Sequence, residues 1–381
     1  MKRIQSVNFE RIAWCCNDNG VSLIDLAIEL KLEKSIDKMI RGEYDMTFNQ
    51  LRKIADYFGR GVLFFLEDRP ITEERVHSYQ FRTLANQKQD ISPKVKKFIK
   101  RVEKQRDIYL TLKEDLDEDD LPVFCHPKLP ESNIIGAAQF AREWLGLEDE
   151  NEFDTYRRAI EAKGILVFQS IGYLGNWNID KDDPTLAFSL YDKMCPVIVI
   201  KKQPWIAQNV FSMMHELGHI LLHKNSSIDY EDDFKNDREW ERDANTFAGR
   251  LLVPDRFLLE ISDEDRPIDV AEFNNWLSPK RRKWGVSAEV ILRRLLDVER
   301  LSTKEYNDYR KWLETYPPKQ TEGGSRKYRY REPINMFGDT FVRTVLDALN
   351  KKEITLAKAS NYLDNLKIKD IHKLERHYAG V

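Results

Sequence analysis

Residues 211–223 read FSMMHELGHILLH, an apolar helix-forming segment that carries His215 and His219 four positions apart. Positions four apart lie on the same face of an α-helix, so both imidazoles can reach one metal ion. Glu216 lies beside them and can accept a proton from water at that ion, because zinc lowers the pKa of its bound water to about 7. The segment therefore predicts a zinc site with Glu216 as the catalytic general base.

His223 continues the four-residue series but does not fit as the third ligand. A catalytic zinc ion has three protein ligands and one open position. Eight residues at about 1.5 Å each would separate His215 from His223 by roughly 12 Å along a straight helix, too far for both to bind one ion. We therefore expect His223 to end the helix or to support a ligating residue, and the third ligand to come from another element.

A second helix, predicted over residues 238–252, offers acidic candidates for the third ligand. Glu241 lies on its buried side, because it precedes Ala244 by three positions and Asn245 by four. It resembles the glutamate ligand of gluzincin metallopeptidases, whose helix carries a carboxylate or an amide one turn later. This resemblance implies that Glu241 binds the metal and that Asn245 orients a ligating histidine. Glu239 is the alternative ligand, and a simple exposed charge is the alternative interpretation of Glu241.

Short apolar runs around these helices predict an α+β domain. Residues 196–200 (PVIVI) are typical of a buried strand, and residues 165–168 and 187–191 predict two further strands. Ser287 is expected to cap the last helix of this domain. The helices are predicted over residues 136–145, 153–163, 207–223, 238–252 and 287–296.

In combination, these motifs resemble a known family. The sequence HELGHILLH, preceded by PVIVIK and followed by ERDANTFAGRLLVP, is similar to the ImmA/IrrE family of metallo-endopeptidases over residues 130–300. Two departures are Val253-Pro254, where the family often has Met-Pro, and residues 205–209, which replace a usual basic residue. The resemblance implies a minimal zincin fold, zinc as cofactor and cleavage of a protein, commonly a repressor. It also suggests a stress-response, mobile-element or toxin–antitoxin setting.

The N-terminal residues 21–66 resemble an Xre-type helix-turn-helix. The similarity lies in the pattern LA..L in the first helix, in Ile40 and Gly42 at the end of the second helix, and in the pattern L..IA..F in the third helix. The resemblance implies operator DNA as a partner and a homodimer on a two-fold site. Residues 1–70 carry 11 basic and 11 acidic side chains, so this module alone should bind DNA weakly. The alternative is a helical module that packs on the protease or on a protein partner. The recognition helix is predicted over residues 33–41 and would present Lys34, Ser35, Lys38 and Arg41 to the major groove.

The expected organisation is multidomain and mainly α-helical, with one α+β part. The predicted segments are a helix-turn-helix bundle (1–70), a linker with a basic helix (71–130), a minimal zincin-like α+β metallopeptidase domain (131–315) and a small helical C-terminal unit (332–381). Residues 94–106 carry seven basic side chains and one acidic side chain, which predicts a solvated basic face. A purely nucleic-acid-binding protein would use the same face, but the net charge of −3 opposes that reading.

Composition excludes several classes of protein. Of the 381 residues, 41% are hydrophobic, which rules out general disorder. No run of about 18 apolar residues occurs, so we expect no membrane span. The four cysteines form no CxxC pair, which favours a reducing compartment and a cytoplasmic location.

Two functions fit these observations. The first is a cytoplasmic zinc-dependent endopeptidase fused to a DNA-binding transcriptional regulator, with a protein or peptide substrate such as a repressor. The second is a non-proteolytic, antitoxin-like regulator that binds operator DNA and a toxin, with the zincin domain as a metal-stabilised scaffold. A pure scaffold would not require Glu216, so its presence favours the peptidase.

Overall fold

The fold is taken from a computed structural model. The chain forms two compact units, Met1–Lys104 and Gln105–Val381. The domain boundaries predicted from the sequence are not tested by this division and stay predictions. The structure describes residues 3–4, 7–18, 21–32, 46–58, 60–69, 84, 87, 91–116, 122–130, 133–171, 175–230, 239–315 and 326–379.

The first unit is mainly helical in its described part. Its strands β1 (Arg3–Ile4) and β2 (Met46–Thr47) pair antiparallel. Ser22 begins α2, where its side chain accepts a hydrogen bond from the Asp25 backbone N–H. Its helices are α1 (Phe9–Asp18), α2 (Leu23–Glu29) and α3 (Phe48–Phe58), followed by a 3₁₀ turn (Val62–Leu66); helix α4 (Pro93–Leu116) begins in this unit and continues past Lys104. Their buried side chains include Ile12, Leu26, Leu51, Ile54, Phe58 and Phe65.

The predicted recognition helix lies outside the described residues. This holds for its whole range, 33–41, and so for the four side chains assigned to DNA: Lys34, Ser35, Lys38 and Arg41. The helix-turn-helix therefore stays a prediction.

The second unit is mostly helical and contains one small mixed sheet. Its helices before and around the sheet are α5 (Ile134–Leu145), α6 (Phe153–Glu161), α7 (Ile206–Gly218) and α8 (Glu239–Leu252). Later helices are α9 (Asp255–Leu258), α10 (Phe273–Trp276), α11 (Ser278–Trp284), α12 (Ala288–Asp297), α13 (Thr303–Thr315), α14 (Glu332–Asn350), α15 (Leu356–Tyr362) and α16 (Ile368–Ala379). Short 3₁₀ turns cover Val270–Glu272 and Arg326–Arg331. As predicted, Ser287 caps α12 by accepting a hydrogen bond from the Val290 N–H.

The sheet has the order β3-β5-β4-β6, with β3 and β5 parallel and the other neighbours antiparallel. Its strands are β3 (Leu166–Gln169), β4 (Thr185–Leu190), β5 (Val197–Ile200) and β6 (Ser227–Tyr230). The first three lie within one or two residues of their predicted positions. The fourth was not predicted, because Ser-Ile-Asp-Tyr has a single aliphatic residue and no apolar run.

Register assigns the two faces of this sheet. Side chains of paired residues point to the same face, so Val167, Ile198, Ser189 and Ser227 form one row across the four strands. This row belongs to the face that packs on α7, since Val167 and Ile198 share a buried core with Val210, Met213 and Leu217 of that helix. The row is apolar at β3 and β5 and polar at β4 and β6.

Helix α14 covers the opposite face. Phe168 of β3 lies 5.7 Å from Phe337 and 5.9 Å from Phe341, measured between ring centroids. A buried ion pair within α6 also contacts α14. Arg157 contacts Glu161 at 3.2 Å and also donates to the carbonyl oxygens of residues 334–336. Because the groups of this pair have several hydrogen-bond partners, its burial carries less of the usual desolvation cost.

The described residues include no helix that is both long and apolar enough to cross a bilayer.

Gly338 allows α14 to bend where it contacts Glu161 of α6, which gives a testable prediction. Its φ is 79° and its ψ 171°, a region open almost only to glycine, and an added Cβ would overlap the buried Glu161 carboxylate. Gly338→Ala should lower the free energy of unfolding by about 1–3 kcal/mol in urea titrations. Gly136→Ala is the control, because a Cβ on that α5 residue would meet its nearest neighbours at 3.6–3.7 Å. Equal stability of the two variants would contradict the role of Gly338.

Candidate metal centre

Helix α7 carries the histidine motif into the interior at the polar edge of the sheet. Its apolar side chains pack on β5, and its C-terminal part is fully covered: His215 and Glu216 are 0% exposed and His219 is 4% exposed. The chain continues from α7 as one π-helical turn, His219–His223, and ends with Lys224 in the left-handed conformation. The two ligand candidates therefore lie in a dry part of the fold, as the sequence predicts for a metal-binding helix.

Helix α8 brings Glu241 to the two histidines. The Nε2 atoms of His215 and His219 lie 3.0 Å apart, and Glu241 Oε2 lies 3.2 Å from the first and 3.6 Å from the second. Gly218 permits this close approach of the helices, because a Cβ there would lie only 3.3 Å from the Ala244 Cα. The sequence-predicted trio is thus brought together in space.

A fourth group, Asp229, completes the cluster and was missed by the sequence analysis. It lies on β6 and is 0% exposed, with Oδ2 at 3.0 Å from His215 Nε2 and Oδ1 at 3.8 Å from His219 Nε2. The signal that could have found it is a charged residue alternating with Ile228 in a short segment directly after the histidine helix.

The four groups fit a divalent cation. Two imidazole nitrogens and two carboxylate oxygens lie within 4.8 Å of one another, and all four residues are buried. Tetrahedral zinc bonds of about 2.0–2.2 Å would place donor atoms roughly 3.3–3.6 Å apart, close to the separations found. Two carboxylate charges would also balance the charge of a divalent ion. Nitrogen and oxygen donors of this kind suit zinc, and the geometry is equally open to other divalent transition metals.

Without a cation, the carboxylates shift the titration of the histidine pair. Burial alone lowers the pKa of His215, but the Asp229 and Glu241 carboxylates stabilise the imidazolium more strongly and raise this pKa to about 9. Conversely, although burial opposes it, the histidines hold the pKa of both Asp229 and Glu241 below the ordinary range. The site therefore attracts positive charge, whether a proton or a metal ion.

Glu216 points to the same edge of the sheet and has the opposite shift. Burial raises its pKa well above the usual value, and the nearby Asp229 carboxylate raises it further, while the Ser189 hydroxyl opposes this. Neither Glu216 oxygen has a hydrogen bond of good geometry to a described residue. A buried carboxyl with a raised pKa is a stronger proton acceptor than an exposed glutamate.

The predicted supporting residues have different surroundings. His223 Nδ1 lies 3.0 Å from His219 Nδ1, and burial together with His219 lowers the pKa of His223 to about 4, so it is a neutral partner there. For Asn245, the buried Oδ1 has no hydrogen-bond partner among the described residues, so its predicted bond to a histidine is not formed here. Glu239, the alternative ligand, is exposed and lies outside the four-residue cluster.

Competition between zinc and a proton at His215 gives a second prediction. Zinc binds the neutral imidazole, whereas below a pKa of about 9 His215 holds a proton. Zinc affinity should therefore rise about tenfold per pH unit between about pH 7 and 9, measured by competition with a chromophoric chelator. His372→Asn, at an exposed imidazole paired with Glu375, should leave the slope unchanged. Affinity that is independent of pH over this range would contradict the shift.

Comparisons with known proteins agree with the position of this centre. Residues 162–296, about a third of the chain, match the family model described as the IrrE N-terminal-like domain (Peptidase_M78). The chain is also 32% identical over 96 residues to "Uncharacterized immunity region protein 2" of Bacillus phage phi105. That match covers 24% of this chain and 59% of the phage protein, less than two thirds of its length. No solved structure matches significantly. The similarity to a metallopeptidase family thus covers both metal-site helices and the strand that carries Asp229.

Proposed function

We propose that this protein is a zinc-dependent endopeptidase that cleaves a regulatory protein. The observation that carries the proposal is the position of Glu216, fully buried on the ligand helix beside four convergent metal donors. Metal donors alone fit a structural site as well, but a buried carboxylate next to them supplies the proton acceptor that peptide hydrolysis needs. The similarity of residues 162–296 to a peptidase family supports the same reaction.

In this proposal each residue has a distinct role. His215, His219 and Glu241 hold the zinc ion, which when bound supplies Lewis acidity that polarises a carbonyl group and acidifies water. Glu216 takes the proton from the attacking water and returns it to the leaving peptide nitrogen. His223 accepts the Nδ1 proton of His219 and so keeps its Nε2 directed at the metal.

The proposed setting is supported by the phage relative and by the sequence resemblance. The phage relative carries the words "immunity region" in its name, which supports a regulatory role in a mobile element. We place the substrate among repressor-like or toxin proteins and the reaction in the cytoplasm, where the chain's four thiols remain reduced.

One observation favours a second candidate, the non-proteolytic regulator with a metal-stabilised scaffold. Structural zinc sites have four protein ligands, whereas catalytic sites keep one position open. The buried Asp229 supplies the fourth donor that a structural site would have. The following experiment separates the two candidates.

Glu216→Gln removes the proton acceptor and leaves all four donors in place. Cells that express the wild-type protein should contain new protein N-termini, detected by proteome-wide N-terminal labelling, and these should be lost with Glu216→Gln. Zinc content should remain the same in both proteins. Glu239→Gln, which changes an exposed glutamate on α8, should cleave as the wild type does. New N-termini that persist in Glu216→Gln would reject the peptidase and favour the scaffold.

We further propose that the N-terminal unit binds operator DNA as a homodimer. The support is the helix-turn-helix resemblance of residues 21–66, together with the helical core of the described part. Lys38→Ala/Arg41→Ala should weaken binding to the upstream region of the gene.

The salt dependence tests whether these two side chains contact phosphates. In the double variant, the slope of log K against log salt should fall by about 2, roughly one for each lost phosphate contact. Lys53→Ala, at an exposed position of α3 outside the predicted recognition helix, is the control. Equal slopes for the wild type and the double variant would remove Lys38 and Arg41 from the interface.

A further inference from the structure

We propose that Asp229 is a fourth protein ligand that closes the metal centre in its resting state, so that the peptidase is latent until this carboxylate is displaced. The inference rests on the proposed function for the metal and adds a form of regulation to the same site. Three features of β6 support it: its position in the sheet, the contacts of the two Asp229 oxygens, and the burial of the carboxylate.

The sheet places the Asp229 side chain on the same face as the histidine helix. Asp229 pairs with Ala187, which pairs in turn with Ile200, and Ile200 belongs to the core shared with α7. The register between β4 and β6 shifts at this point, between Thr185 and Ala187. Such irregularities redirect a side chain and occur preferentially next to active sites.

The two oxygens of Asp229 have different partners. Oδ1 accepts a hydrogen bond from the Ser227 hydroxyl at 3.1 Å, which fixes the orientation of the carboxylate. Oδ2 faces His215 Nε2 at 3.0 Å but forms no hydrogen bond of good geometry among the described residues. One oxygen is therefore held by the protein, and the other is an electron-pair donor aimed into the cluster.

Burying the ionised Asp229 carboxylate costs free energy unless a positive charge lies beside it. Asp229 is 0% exposed, and an ionised carboxylate in a dry interior requires a compensating charge. With Glu241 it brings two negative charges to two neutral imidazoles, which matches the charge of one divalent ion. The donor set is then complete without water.

Closure has a direct consequence for reactivity. With Asp229 Oδ2 as a fourth donor, the protein itself would fill the position that a catalytic zinc site keeps open for water or a substrate carbonyl. Hydrolysis then requires that Asp229 leave the metal, for which β6 must shift or the Ser227 contact must break. An event that moves this strand would therefore control the activity of Glu216 without altering Glu216 itself.

Exogenous anion binding tests whether the position is closed. The full-length protein is loaded with Co²⁺ and titrated with azide while its visible absorption is recorded. In the wild type, azide should leave the spectrum unchanged, because no coordination position is free. In Asp229→Ala, azide should bind and shift the spectrum. Zinc affinity, measured by chelator competition, should fall at least about tenfold in the same variant.

Matched variants keep the test decisive. Asp229→Asn preserves side-chain size and the acceptor for Ser227, so it should fold and still lower zinc affinity. Glu239→Gln should behave as the wild type, and Glu241→Gln should lose zinc affinity as a ligand variant does. The inference is overturned if azide binds the wild type as readily as Asp229→Ala, or if zinc affinity is unchanged in both Asp229 variants.

The readout also separates this inference from the proposed peptidase. Coordination is measured without any substrate, whereas cleavage is read from the new N-termini that depend on Glu216. Closure by Asp229, with no Glu216-dependent N-termini in cells that express either the wild type or Asp229→Ala, would reject the peptidase and retain the inference. Cleavage together with an open wild-type centre would do the reverse.

Discussion

The central constraint in this protein is the meeting of four electron-pair donors in a dry interior. Two imidazole nitrogens and two carboxylate oxygens lie within 4.8 Å of one another, so this site favours a positive charge between them. A divalent cation would balance the charges of the buried Asp229 and Glu241 carboxylates. The close approach of α7 and α8 at Gly218 and the polar edge of the sheet bring these four donors together.

The face of the sheet that packs on α7 is aliphatic at one side and polar at the other. On the α7 face, β3 and β5 carry the aliphatic residues Val167 and Ile198, whereas β4 and β6 carry Ser189, Ser227 and Asp229. The helix follows the same gradient, with methionine and valine toward the aliphatic strands and the histidines toward the polar ones. Packing and chemistry thus lie on one continuous surface. The aliphatic part of that surface packs against α7, while the edge strand β6 carries Asp229.

Much of the site could be predicted from the sequence because local rules determine it. The spacing of His215 and His219 places them on one helical face, and the apolar positions of α8 predict the buried side on which Glu241 lies. Asp229 could not be found in this way, because its role depends on pairing with β4, and a four-residue strand with one aliphatic side chain gives a weak local signal. Likewise, neither composition nor periodicity indicates that α14 packs on the second face of the sheet.

The contact between α6 and α14 has a consequence for how the molecule can be divided. The Arg157–Glu161 pair reaches across to carbonyl groups of residues 334–336, and Phe337 lies 4.7 Å from Trp177 between ring centroids. A fragment that stops before residue 332 would bare an aromatic surface and strand a guanidinium in the interior. The folded unit is therefore larger than residues 162–296, the stretch that matches the peptidase family model, because residues 332–350 cover one face of its sheet.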